Sequence, residues 1–531
     1  MSEAAVIERP LMPNGRLYHS PLGLFPFQAD CVIETIHHGD RIGIVDTGLG
    51  KTHIAMCTAA TLYEEGEIDL VMHVGRRNKV SDKDEFPADW AQFTSLSVLV
   101  YHGAGRHNRL LKHGVPDVVL TTYETAASEL MSRKKTPGKM GKGGRVDGPL
   151  IQKLGLRDKR VLWIFDEVAR LRGRKAERYQ AIYYALDQLR RGPHKQRALG
   201  LTATIISTED EGAFNVARLV VPGSMPLVTE YEREFTRGRD EYQQYVYIKD
   251  KQPEFDRLFQ ATRFRVREDD PAIRIQMPKL RVDTKHVDLL PEHKALYEAV
   301  GDLYGEDRSK LTAEQRSKLS MALKLTAGHP AALLHSGAEL SKAIVDTLGE
   351  EALRAIPSSK SRWLIEELEV LCKGQGAQLI VFTFYAETVL PEVERDLREA
   401  GFSVAVYKSE QTPTENRESK RAFKAREVQV MLSSDAGAEG LNLPEASYVI
   451  EYEPATAIDV RQQRFGRHKR IVGGDSPFVY GWSMMLRSTV EVDAFNLVMH
   501  RAERQDDLYG DTDTAGHTNA RDEKKRLRSR Q

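Results

Sequence analysis

Short, almost uninterrupted apolar runs punctuate the first 225 positions, at 41–46, 69–74, 97–101, 117–121, 161–165 and 197–202. Runs such as Val118-Val119-Leu120 and Val161-Leu162-Trp163-Ile164-Phe165 lack the in–out alternation of a half-exposed strand. Both their faces are expected to be buried, as in a parallel sheet. Stretches long enough for helices separate the runs, and that alternation is the pattern of βαβ units. A second series begins after position 358, at 378–382, 403–407, 428–432, 447–451 and 477–482. The fold class expected is α/β, with two parallel-sheet domains.

Between the two series, residues 226–355 are mostly charged and helical in pattern, as at 317–325, and a Pro-containing extended piece at 277–287 interrupts them. The stretch 132–149 is rich in Lys, Gly and Arg and reads as an inserted loop. The organisation expected is a first α/β domain over 1–225, a helical linking or insertion region over 226–355 and a second α/β domain over 356–505. A basic, disordered tail over 506–531 follows, ending in Lys524-Lys525-Arg526-Leu527-Arg528-Ser529-Arg530.

Composition narrows the partners. Lys plus Arg and Asp plus Glu both number 77, so any hold on a polyanion has to come from local basic patches, not net charge. The cysteines Cys31, Cys57 and Cys372 lie far apart with no C-x-x-C pair. That argues against a disulfide framework or a zinc site and fits a reducing compartment. No signal-peptide pattern opens the chain, and no apolar run approaches the ~20 residues of a membrane span. A soluble, intracellular protein without a membrane partner is expected, cytoplasmic or nucleoid-associated if the source is prokaryotic or viral.

The chemistry concentrates first at Val45-Asp46-Thr47-Gly48-Leu49-Gly50-Lys51-Thr52. A Gly-rich turn between strand and helix lets backbone N–H groups close around phosphates at the positive end of the helix. Asp46, Thr47, Gly48, Leu49 and Gly50 would wrap the phosphates, and Lys51 would reach the β- and γ-phosphates. The Thr52 hydroxyl would hold Mg²⁺. The pattern G-x-x-x-x-G-K-[ST] is broken at its first position, where Val45 stands, but Gly48 and Gly50 still supply the bend. A glycine turn with no ligand is the alternative.

Asp166-Glu167 follows the run 161–165. A carboxylate at the carboxyl end of such a strand is placed to bind Mg²⁺, and its neighbour to orient and deprotonate an attacking water. Near the other end lies Gln463-Arg464-Phe465-Gly466-Arg467-His468-Lys469-Arg470, the arrangement Q-R-x-G-R-x-x-R. Arg467 and Arg470, three apart, share a face if helical. Guanidinium groups stabilise the charge of a phosphoryl transition state, and one such finger contributes about 10³–10⁵ in rate. The alternative is a solvated or nucleic-acid-binding basic face.

In this order the motifs resemble those of superfamily-two helicases, a DEAD/DEAH-box-like pattern, and in detail the Swi/Snf-like DNA translocase branch, over roughly residues 20–500. Leu24-Phe25-Pro26-Phe27-Gln28 resembles the segment that reads adenine through its Gln, here Gln28. The run 118–124 resembles motif Ib, whose threonines, here Thr121 and Thr122, approach a nucleic-acid phosphate. Leu201-Thr202-Ala203-Thr204 is similar to motif III and Phe382-Thr383-Phe384 to motif IV. The run 433–443 is similar to motif V, in which Ser433 would meet the nucleic acid and Gly440 the nucleotide. Arg263-Phe264-Arg265-Val266-Arg267, Met277-Pro278-Lys279 and Leu325-Thr326-Ala327-Gly328-His329-Pro330 resemble segments of the branch itself. Two positions depart from it: Ala169 stands where motif II usually has His, and Gly75 where motif Ia usually has Pro.

The resemblance implies two RecA-like lobes with ATP–Mg²⁺ in the cleft between them. Lobe one would supply Gln28, Gly48, Gly50, Lys51, Thr52, Asp166 and Glu167, and lobe two Gln463, Arg467 and Arg470. The function expected is ATP-driven translocation on double-stranded DNA, remodelling protein–DNA or branched DNA structures. Alternatives are a strand-separating helicase on DNA or RNA, the motor subunit of a restriction or repair complex, and a nucleotide-gated scaffold without turnover. The last would be marked by a lost Lys, Glu or Arg, and all are present. Single-stranded DNA, RNA and further protein partners stay open.

Overall fold

The computed structural model describes residues 17–20, 23–83, 85–133, 145–205, 210–239, 245–267, 270, 273, 279–305, 311–435, 443, 445–455, 457–465 and 478–509. Two compact units meet in sequence at Asp270 and Pro271. The first contains β1 (Arg41–Val45), β2 (Leu70–Gly75), β3 (Val98–Val100), β4 (Val118–Thr122), β5 (Met131–Arg133), β6 (Arg145–Asp147), β7 (Val161–Asp166), β8 (Gln196–Thr202), β9 (Thr236–Arg239), β10 (Tyr245–Tyr247) and β11 (Arg263–Val266). Seven of these form one sheet in the order β11-β1-β8-β7-β2-β4-β3, and every pairing is parallel. β5 with β6 and β9 with β10 form small antiparallel pairs. All six residues of β7 are buried, as the unbroken apolar run requires of a strand covered on both faces.

The second unit holds β12 (Lys279–Val287), β13 (Leu379–Thr383), β14 (Val404–Tyr407), β15 (Val430–Ser434), β16 (Tyr448–Glu451) and β17 (Phe478–Leu486). They form a parallel sheet in the order β12-β17-β16-β13-β15-β14. Both units are thus parallel-sheet α/β lobes of RecA-like type.

Residues 226–355, expected as a helical link, are divided between the two units. β11 extends the first sheet beside β1, and β12 runs the length of β17 in the second. Helices follow β12, and Ala313–Gly328 is entered through a capping box in which Thr312 and Gln315 cap each other's backbone N–H. Its end explains the His-Pro segment. His329 is extended, as a residue before proline prefers. Its Nδ1 accepts the Ala331 N–H at 3.0 Å, which leaves Nε2 to donate to Asp396 at 2.9 Å. The expected tail starts later than position 506, because the last helix runs over Val490–Tyr509. Residues 510–531 and 134–144, within the expected tail and loop, lie outside the described residues. No helix among the described residues is long and apolar enough to cross a membrane.

Candidate nucleotide site

Sheet order assembles the first unit's site. Ligands in parallel α/β sheets bind at the carboxyl ends of the strands. β1, β8 and β7 are neighbours, so the Gly-rich loop after β1, Thr202 at the end of β8 and Asp166-Glu167 at the end of β7 share one edge. The loop 46–50 leads into the helix Lys51–Glu64. Gly50 has φ +80°, where a side chain is strained, and a Cβ there would collide with Gln28 Nε2. The backbone thus calls for glycine at 50, and a side chain there would also have to displace the Gln28 amide.

Gln28 is buried and joins two segments. Its Nε2 donates to the Leu49 carbonyl at 3.0 Å, while its Oε1 accepts the Phe25 N–H at 3.0 Å and caps the helix Pro26–His38. Leu49 is buried beneath the loop, and Asp46, Thr47, Gly48 and Thr52 are partly exposed. Lys51 folds back along the loop, donating to the carbonyls of Val45 at 2.9 Å and Asp46 at 3.4 Å. Desolvation pushes its ammonium below the usual lysine range, against the pull of Glu167 and Asp166.

Asp166 is enclosed at 2% exposure. Burial acts to raise its carboxyl, but Lys79, His73 and Lys51 outweigh that and hold it below the usual range. The Lys79 ammonium lies 3.1 Å from Oδ2, and the Tyr123 hydroxyl donates to the Asp166 carbonyl at 2.7 Å. Glu167 follows in the left-handed region at φ 56°, ψ 54°, a strained conformation for a side-chain-bearing residue. Its Oε2 is 3.5 Å from the Thr202 hydroxyl, whose proton goes instead to the Thr204 carbonyl at 2.5 Å. Glu167 itself is partly exposed. Ala169, where the branch that the motifs resemble usually has His, is buried in the turn Val168–Leu171.

Sequence reasoning gave no site role to Lys79, Arg265 or Tyr123. Arg265 donates to Asp46 Oδ1 at 2.6 Å, and to the carbonyls of Ile44 and Val266. Its signal was present in the alternation Arg263-Phe264-Arg265-Val266, which is a strand pattern with polar residues on one face. Gly75 has a steric reason as well: a Cβ there would lie 2.7 Å from the Phe86 ring. Below it, Trp90 Nε1 donates to His73 Nδ1 at 3.0 Å, which fixes the proton of that buried ring on Nε2.

The nucleic-acid candidates are placed differently from the expectation. Thr121, Thr122 and Ser433 are all fully buried. Thr121 donates to the Tyr101 carbonyl, and Thr122 accepts the Thr125 N–H as the cap of the helix Tyr123–Leu130. Ser433 donates within the second unit to the carbonyls of Tyr407 and Ser434. Their hydroxyls hold strand ends together and do not face outward.

In the second unit, Gln463 lies on the helix Ile458–Phe465, and its side chain is outside the described residues. Gly440, Arg467 and Arg470 also lie outside them. The neighbouring Arg464 is completely buried and ties three motifs together. It donates to Asp435 at 2.7 Å, Glu451 at 3.2 Å and the Glu453 carbonyl at 3.0 Å. Glu453 in turn accepts Thr383 Oγ1 and the Phe384 N–H.

Residues 25–211 match the family model described as DEAD/DEAH box helicase, and residues 359–472 match the helicase conserved C-terminal domain. The chain is similar to the "Uncharacterized ATP-dependent helicase YqhH" of Bacillus subtilis, 23% identical over 66% of this chain and 60% of that protein. It is 29% identical to the ATP-dependent RNA helicase DDX42 of Homo sapiens over 23% of this chain and 12% of the relative. It therefore spans less than two-thirds of the length of these curated relatives. Among solved structures, the Hef helicase domain of Pyrococcus furiosus aligns with TM-score 0.50 at 18% identity, covering 88% of this chain and 96% of that one, a likeness of fold.

Proposed function

The chain belongs to the superfamily-two helicases, and we propose that it is a Swi/Snf-type translocase that hydrolyses ATP to move along double-stranded DNA. The observation that carries the hydrolysis is the shared edge of β1, β7 and β8, where Lys51, Asp166 and Glu167 converge. Lys51 would exchange its loop carbonyls for the β- and γ-phosphates. Glu167, left without the Thr202 proton, would hold and deprotonate the attacking water. Thr52 and Asp166 are hard oxygen donors, and Asp166 already attracts a cation, so the pair fits Mg²⁺. When bound, the ion would neutralise phosphate charge. By the resemblance, Gln463, Arg467 and Arg470 would act on the charge of the transferred phosphoryl group, and Gly440 on the nucleotide.

Duplex DNA is favoured by the segments at 263–269, at 277–279 and at 325–330, which resemble the Swi/Snf-like branch more than helicases at large. Contacts to the backbone of a nucleic acid give little sequence preference and strong salt dependence. A second reading, a strand-separating RNA helicase, is favoured by the likeness to DDX42.

ATPase titrations with duplex DNA, single-stranded DNA and RNA at two salt concentrations, with a strand-displacement assay, discriminate the readings. Stimulation by duplex DNA without displacement is expected; stimulation by RNA with displacement would overturn the translocase proposal. Lys51→Ala and Glu167→Gln should each nearly abolish turnover, and Arg467→Ala should lower it by about 10³ or more while ATP binding survives. Near-normal turnover in the Lys51 or Glu167 variant refutes the assigned site.

A further inference from the structure

Lys79 has no part in the hydrolysis just described, yet it rests on the carboxylate to which that reading assigns the metal. The side chains of Lys79 and Asp166 are 21% and 3% exposed, with the ammonium 3.1 Å from Oδ2. The fold fixes this pairing. The helix Arg77–Ser81 follows directly on β2, and β2 lies beside β7, the strand that ends at Asp166. The ammonium also sits over the Phe86 ring, 5.0 Å from its centroid, so the side chain is held from a second direction. His73 on β2 has its Nδ1 occupied by the Trp90 N–H. A carboxylate so enclosed has little water to solvate it, and its charge has to be met by a nearby cation.

We infer that Lys79 and the divalent cation compete for Asp166, so that Lys79 sets how strongly ATP binding depends on metal. The inference rests on the proposed role of Asp166. An ammonium and a dication cannot share one carboxylate at contact distance without mutual repulsion. Metal arrival has either to displace Lys79 or to bind against its charge, and both weaken metal binding. The same charge, close to where the phosphates would lie, supports ATP binding in the absence of metal. Lys79 is in this sense a positioning residue that makes nucleotide loading an exchange of cations.

The test is equilibrium binding of a fluorescent ATP analogue to the full chain, in saturating Mg²⁺ and in EDTA, read as the ratio of the two Kd values. Lys79→Met keeps the apolar stem and removes the charge, while Lys79→Arg keeps the charge. Relative to wild type, Lys79→Met is expected to raise the ratio of EDTA to Mg²⁺ Kd by about tenfold or more, and Lys79→Arg to stay within about threefold. An unchanged ratio in Lys79→Met, or equal shifts in both variants, overturns the inference while leaving the nucleotide site standing. A wild-type chain that binds no nucleotide in either condition overturns the site and the inference together.

Discussion

Glu453 should make the second unit's stability depend on pH in a way that one substitution removes. The residue is 4% exposed. Burial pushes its carboxyl up from 4.5 to about 7, although Lys360, the Thr383 hydroxyl and the Phe384 N–H all favour the ionised form. The folded state therefore holds the proton more tightly than the unfolded chain does. That contribution is fully present below about pH 4.5 and is lost as pH rises towards 7. A carboxyl moved from 4.5 to about 7 corresponds to about 3 kcal/mol. His293, pushed down to about 4 by burial, works in the opposite direction, losing stability as pH falls below the ordinary histidine value. A wild-type profile alone would mix the two. Glu453→Gln keeps an acceptor for Phe384 N–H and can donate to Thr383 Oγ1, so the difference between wild type and variant isolates the carboxyl. Hydrogen exchange of amides in β13 and β16, measured for both proteins from pH 5 to 8, should show the variant gaining protection relative to wild type as pH rises. A difference that stays flat across that window would refute the reasoning.

Three other substitutions test the local arguments. Gly50→Ala forces a side chain to φ +80° and into Gln28, and should destabilise the first unit by about 1–2 kcal/mol and weaken ATP binding; a wild-type melt with unchanged ATP affinity would speak against it. Trp90→Phe leaves the buried His73 Nδ1 without its donor, and a loss of about 1–3 kcal/mol in denaturant melts is expected, while no change would show the bond to be dispensable. Arg464→Ala leaves Glu451 and Asp435 facing an empty site, so destabilisation of the second unit by about 3–5 kcal/mol is expected, and equal stability would contradict the pairing.

The central strands were legible because burial on both faces leaves no room for polar residues. β1, β4, β7, β13 and β16 lie within one or two residues of the apolar runs that announce them. β11 and β12 were read less fully, β11 as a basic crossing segment and β12 only as an extended piece. Each sits at an edge of its sheet and alternates polar with apolar residues, and β12 finds its partner β17 about 200 positions away. Local pattern carries no information about such a pairing. The Gly-rich turn after β1 and Asp166-Glu167, proposed here as the nucleotide site, stood out because the chemistry proposed for them needs fixed residue types at fixed spacing. Lys79 was not, since its meaning depends on β2 lying against β7 and on a contact across 87 positions. Thr121, Thr122 and Ser433 show the converse. A motif can name a hydroxyl correctly as part of a segment without telling whether its proton points outward or closes a strand end.

The first unit's site is balanced in charge by its own atoms. Lys51 rests on the Val45 and Asp46 carbonyls, Lys79 on Asp166, and Arg265 on Asp46. An unpaired charge in so enclosed a place would cost several kcal/mol, so the pairs Lys79–Asp166 and Arg265–Asp46 help the loop to stand formed. The consequence is directional. Lys51 holds only neutral carbonyls, and a triphosphate offers it a stronger partner, so it can be recruited readily. Arg265 is bound to a carboxylate and to two carbonyls at once, on the strand next to β1. Removing it would release Asp46 towards the incoming phosphates and add repulsion where attraction is needed. Arg265→Ala should therefore weaken ATP binding by about tenfold or more, although no motif assigns Arg265 to the nucleotide. Asp46→Asn with Arg265→Ala should recover part of that loss, because the neutral amide no longer repels phosphate. Failure of the double variant to recover any affinity would place the Arg265 effect in the sheet, not in the charge of the loop.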